Sequence, residues 1–94
     1  MTSVKRLEIV ITALALPELQ RLLDTHEPVG YTVVRDVSGM DDGSSIGDEV
    51  SGALHNHLVI ISVEPSRLKS LTDGISPLLK RFGASCLISD AQAL

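Results

Sequence analysis

The chain has 94 residues, a net charge of −4, 44% hydrophobic but only 2% aromatic content, and a lone cysteine, Cys86. One domain with a core of Leu, Ile, Val and Ala is expected, and the acidic balance argues against nucleic-acid or anionic-membrane partners, which call for basic faces. A lone cysteine excludes an internal disulfide framework and a CxxC site, and fits a reducing cytoplasm.

Residues 5–12 alternate. Leu7, Ile9 and Ile11 share one face and Glu8, Val10 and Thr12 the other, which is strand periodicity. Because Val4 to Ile11 already reads as structure, no signal peptide is expected. Pro17 suits the first turn of a helix with the stripe Leu16, Leu19, Leu22 and Leu23, running to about Thr25 and stopped by Glu27-Pro28. His26, just after it, is expected to interact with the helix C-terminus.

Tyr31 to Val37 reads as a second strand and 57–63 as a third. Ser66 is the expected N-cap of a second helix, with Leu68, Leu71, Ile75, Leu78, Leu79 and Phe82 on one side. Gly74 and Pro77 interrupt that pattern, so a kink or two shorter helices are expected. Gly83 then ends the helix in the C′ role, and 85–89 form a short fourth strand.

The order βαββαβ predicts an α+β, ferredoxin-like sandwich: a four-stranded antiparallel sheet with two helices on one face. The strands are not cleanly alternating, because Val10, Val34 and either Ile60 or Ile61 oppose other apolar residues of their own elements. Strands apolar on both sides need both sheet faces covered. Too little chain remains to do so, which predicts a symmetric homo-oligomer.

Between the second and third strands lie about nineteen residues, 38–56, with four acids (Asp41, Asp42, Asp48, Glu49), several glycines and serines, and no Lys or Arg. Unstructured connections beyond about 12–15 residues are uncommon in compact domains and are usually functional or disordered. A mobile loop, lacking order over 41–54 without a ligand, is expected. It lacks the DxDxDG spacing of an EF-hand.

His55 and His57 stand two apart at the loop's return, where a strand would put both rings on one face, within reach of one metal or simply solvated. Lys80-Arg81-Phe82-Gly83-Ala84-Ser85 offers an anion-binding nest of backbone N–H groups, or merely cations placed at a helix C-terminus. No Ser-His-Asp spacing, P-loop, HExxH or GxGxxG is present, so an enzyme is not expected.

The βαββαβ order, the stretch Gly30-Tyr31-Thr32-Val33, the long loop, Val63-Glu64-Pro65 and the short turn after the second helix together resemble the PII signal-transduction family across nearly the whole chain. The words GYTVV, VEPSRL and LLKRFGASCLISDAQ look closest to the short PII-like proteins linked to inorganic-carbon uptake and carboxysomes. The resemblance implies a single PII-like domain over 1–94, a homotrimer, and a cytoplasmic, non-enzymatic sensor. It implies adenine nucleotide in clefts between subunits. The base would lie at Val37, Ser38 and Gly39, with Thr32 and Val63 nearby. The phosphates would lie at Gly83, Ala84 and Ser85, with Arg81 as a cation. The long loop, called the T-loop in the family, would dock on a target such as a bicarbonate transporter or a carboxysome-related protein.

Departures sharpen this. Gly39-Met40-Asp41-Asp42-Gly43 stands where nitrogen-regulatory members carry Gly-x-Gly-Arg-Gln, residues 40–56 contain no Tyr, and the C-terminal arginines of that branch have no counterpart. Each lost cation removes a charge-assisted phosphate contact. The expected ligands are therefore ADP or AMP rather than ATP, without 2-oxoglutarate. His57, or His55, takes the place of a lysine that contacts the small acid in that branch, which makes both candidates for bicarbonate. The alternatives are a trimeric metal-binding protein of the divalent-cation tolerance type using His55 and His57, and an acylphosphatase-type hydrolase, whose phosphate loop has no counterpart here.

Overall fold

A computed structural model describes residues 1–27, 30–41, 44–46 and 55–94, with 40, 41 and 44–46 as backbone only. In chain order the elements are β1 (Thr2–Thr12), α1 (Leu16–His26), β2 (Gly30–Val37), β3 (Gly39–Asp41), β4 (Ser44–Ile46), β5 (Asn56–Val63), a 3-10 turn at Pro65–Arg67, α2 (Leu68–Arg81) and β6 (Ser85–Ala93). The main sheet runs β2-β5-β1-β6 with every pairing antiparallel. With its two helices, this is the expected ferredoxin-like sandwich.

Register explains the core. The rows Tyr31–Ile61–Leu7–Ile88 and Val33–Val59–Ile9–Cys86 run across all four strands on the helix side. Leu7, Ile9, Ile11, Val59, Ile61 and Val63 there join Leu16, Leu19 and Leu23 of α1 and Leu71, Ile75, Leu78 and Leu79 of α2 in one buried cluster. Each fully buried aliphatic side chain contributes roughly 1.5–3 kcal/mol, which offsets the entropy of ordering so short a chain.

The other face carries the rows Val34–Leu58–Val10–Ser85 and Thr32–Ile60–Glu8–Leu87. Val34 is 42% and Leu87 70% exposed, while Val10, Leu58 and Ile60 are half-buried. Glu8 is paired there with Arg6 at 3.0 Å. This is the two-sided apolar pattern expected of a sheet that needs a second cover.

Several expectations are corrected. Residues 65–67 form a 3-10 turn, so α2 starts at Leu68 with no side-chain cap, and Ser66 is not its N-cap. Pro65 fixes a tight turn there, and Arg67 reaches back to donate from Nη1 to the Glu27 carbonyl at the end of α1 (3.0 Å). α2 is one continuous helix with Pro77 inside it, so of the two expected forms the pair of shorter helices is excluded. Pro77 and Asp73 are both exposed, so the Asp73 carbonyl that loses its partner faces water, while Ile75, Leu78 and Leu79 hold the buried side.

The fourth strand extends to Ala93 because β1 begins at Thr2 and pairs with it throughout, Thr2 opposite Ala93 and Val10 opposite Ser85. The long connection also has structure of its own: β3 and β4 form a hairpin, Gly39 opposite Ile46 and Asp41 opposite Ser44. The expected lack of order over 41–54 otherwise falls on 42, 43 and 47–54, outside the described residues. Among the described residues no helix is long and apolar enough to cross a membrane.

His26 ends α1, and its ring lies against α2 at Gly74, where a Cβ would sit 2.2 Å from Nε2. Gly74 is therefore the notch that lets the ring approach. Gly74→Ala sets about 1 kcal/mol of helix propensity against overpacking of roughly 1–3 kcal/mol. A net loss of about 1 kcal/mol is expected in urea denaturation, changing to a gain when His26→Ala has first removed the ring. A gain in the wild-type background would show that the contact is not close.

Candidate functional site

The root of the long connection is built around a β-bulge. Val34 faces Leu58 and Val37 faces Asn56, so Arg35 and Asp36 on β2 oppose His57 alone on β5. Asp36 takes φ 57°, a left-handed conformation that Asp adopts more readily than most residues. Its N–H points out of the ladder and donates to His57 Nδ1 at 3.0 Å. His57 is 6% exposed and is the one buried polar residue among those described. Accepting through Nδ1 places its ring hydrogen on Nε2.

His55 Nδ1 lies 2.6 Å from Asp36 Oδ1, and the His55 carbonyl accepts from Ala13 N–H at 2.7 Å, which ties the returning chain to the turn after β1. Both histidines are thus engaged by Asp36, one through its backbone and one through its carboxylate. The shared-metal arrangement does not materialise. Among the described residues no group of three or more His, Cys, Asp or Glu side chains could hold a metal ion.

The turn after α2 is a Schellman cap. Gly83 sits at φ 63°, its N–H donates to the Lys80 carbonyl (3.3 Å), and the Ala84 N–H donates to the Leu79 carbonyl (2.8 Å). Those two amides satisfy orphan helix carbonyls rather than facing outward as an anion nest. Arg81 is ion-paired with Glu18 of α1, and its guanidinium lies 5.0 Å from the centre of the Phe82 ring. The remaining guanidinium hydrogens and the Ser85 hydroxyl are side-chain polar groups at this turn.

The expected nucleotide residues fall into two groups within one chain. Val37, Ser38 and Gly39 share an end of the sheet with Ser85, because Asn56 opposite Val37 pairs with Thr12, and Ser85 pairs with Val10. They lie at opposite edges, however, three strand spacings or about 14 Å apart. Val63 pairs with Lys5 at the other end of β5. Thr32, exposed opposite Ile60, lies five residues before Val37 along β2, roughly 16 Å away. One chain does not bring the whole set together.

Sequence reasoning missed Asp36, although an acid inside an otherwise β-branched strand was its visible signal. It also missed the partners of Arg81 and Arg67, which are tertiary and leave no local trace.

No family model and no curated protein matches the chain. Among solved structures, it is similar to CPII, a nitrogen regulatory PII-like protein from Thiomonas intermedia K12 bound to ADP, AMP and bicarbonate. That match has a TM-score of 0.83 and 22% identity, over 97% of this chain and 88% of that one. The apo form of the same protein gives a TM-score of 0.76 at 22% identity, over 97% and 91%. A proposed PII-like signaling protein from Thermus thermophilus gives 0.77 at 14% identity, over 99% and 91%. The chain thus shares the fold of the PII-like proteins.

Cys86 sits half-buried against the core opposite Ile9, and burial pushes its thiol pKa up. Folding therefore holds the proton on sulfur. Stability from this group is full below the unfolded pKa and declines as pH rises through the folded one. Alkylation by iodoacetamide at about pH 8 is expected to run several-fold slower in the native protein than in urea. Equal rates would show that the thiol is open and unperturbed.

Proposed function

We propose that the chain is a single PII-like domain, residues 1–94, acting as a non-enzymatic regulatory homotrimer that binds ADP or AMP between subunits. The observation that carries this reading is the division of the candidate residues, given a fold shared with a protein whose structure holds ADP, AMP and bicarbonate. Val37–Gly39 and the turn with Arg81 and Ser85 hold opposite edges at one end of each sheet, and Thr32 and Val63 lie toward the other. A cleft between neighbouring chains brings residues of one chain to those the other lacks. The apolar rows Val34–Leu58–Val10 and Ile60–Leu87 supply the surface on which subunits close.

Gly83 and Ala84 contribute the turn's shape, and Arg81 its charge. With a single guanidinium that already neutralises Glu18, a diphosphate or monophosphate suits the site better than ATP. Bicarbonate is the second ligand of the proposal. His57 Nδ1 accepts from Asp36, so the bicarbonate contact falls to His55, which is half-exposed, rather than to that nitrogen of His57. The acidic connection, without Lys or Arg, suits a basic patch on a cytoplasmic partner concerned with bicarbonate uptake or carboxysomes.

A thermal-shift panel of AMP, ADP, ATP, zinc and copper tests the reading. A ligand at 100 times its Kd stabilises by about 2.7 kcal/mol, so ADP or AMP is expected to raise Tm by several degrees and ATP by less. Bicarbonate is expected to increase the ADP response. A response to metal alone, with none to nucleotide, overturns the proposal in favour of a metal-binding trimer.

Assembly is tested separately. Leu58→Glu puts a charge in the middle of the apolar row, and sedimentation is expected to show monomer where the wild type shows trimer. A monomeric wild type at micromolar concentration refutes the trimer.

A further inference from the structure

Asp36 is clasped from both sides: its amide by the buried His57 and its carboxylate by His55, 3.0 and 2.6 Å away. We propose that Asp36, His57 and His55 form a clasp that sets the direction in which the chain leaves β2, and so are positioning residues for the ligand held at Val37–Gly39. This deepens the proposed function and rests on it.

Up to Val33, odd-numbered residues of β2 face the helices, opposite Ile61 and Val59. Continued without interruption, the strand would also turn Val37 toward the helices. The extra residue at Arg35-Asp36 sets Val37 opposite Asn56 instead, on the same face as Leu58 and Ile60. A one-residue slip moves every later side chain to the other face. The bulge therefore decides which way Val37, Ser38 and Gly39 point.

Such a slip leaves the amide of the extra residue without a ladder partner. The buried His57 ring supplies that partner from the opposing strand in a part-buried hydrogen bond, and it can do so only with Nδ1 free of hydrogen. His55 holds the carboxylate of the same residue and is itself tied to Ala13. The returning strand thus fixes the departing one at a single residue, whose left-handed φ of 57° marks where the chain changes course.

The test compares His57→Asn, whose side-chain oxygen falls near the position of Nδ1, with His57→Leu, which has no acceptor. Asp36 amide exchange by NMR and ADP affinity by calorimetry are both read. His57→Asn is expected to keep the Asp36 amide protected and to bind ADP within about threefold of wild type. His57→Leu is expected to lose the protection and weaken ADP by about tenfold, the loss of one hydrogen bond in the site, while still unfolding cooperatively.

His55→Ala, at a half-exposed position that does not threaten folding, is expected to weaken ADP by about threefold. Wild-type affinity together with an unchanged Asp36 amide in His57→Leu overturns the clasp. If His57→Leu does not fold, unchanged ADP affinity in His55→Ala overturns it instead. If the wild type does not bind ADP, the functional reading fails on its own. Amide protection lost in His57→Leu and kept in His57→Asn then upholds the clasp as what shapes the root, and any other pattern overturns it.

Discussion

Everything in this molecule hangs on the ladder between β1 and β5, eight residue pairs from Lys5–Val63 to Thr12–Asn56. Those pairs hold Leu7, Ile9 and Ile11 level with Ile61, Val59 and His57, and the helices settle on that surface. A slip of one residue would carry three fully buried side chains to the face of Arg6 and Glu8. The aliphatic core has no tryptophan to anchor it, so its specificity comes from register rather than from a few large side chains.

The same ladder distributes function. Because β2 and β6 occupy opposite edges, the loop root and the turn after α2 are kept apart at one end of the sheet, with Val63 held at the other. The helix-free face between them is apolar along two rows and broken by the Arg6–Glu8 pair, an arrangement suited to contact with a like surface. Edges, ends and the uncovered face thus divide the labour: the edges carry loops, the ends carry polar contacts, and the face makes the join.

Much of this was legible in the sequence. The alternation of Leu7, Ile9 and Ile11 and the stripes of α1 and α2 betray their elements directly, and apolar residues at Val10, Val34 and Ile60 announce a sheet needing two covers. Asp90 to Ala93 fell outside the expected fourth strand because their strand character comes wholly from Thr2 to Lys5 across the ladder. The β3–β4 hairpin went unread because the acids, serines and glycines of 38–56 carry no apolar alternation to mark strands. At the turn after α2, the capping role of Gly83 and the anion nest compete for the same amides, and capping takes them. At Asp36 the acid within the strand was visible but the clasp was not: a bulge is a relation between two strands, and only the pairing of both reveals it.

The position of β1 also has a kinetic side. It precedes both its neighbours in the sequence, and both are distant, Asn56–Val63 and Ser85–Ala93. Neither partner has left the ribosome when Leu7, Ile9 and Ile11 emerge. Local pairing cannot relieve this, since α1 alone buries only one side of the strand. Sheets closed by such distant contacts fold slowly for their size, because chain closure comes before any reward. Until those partners are made, the nascent chain carries an unpaired aliphatic strand, the state in which chaperone capture and aggregation compete.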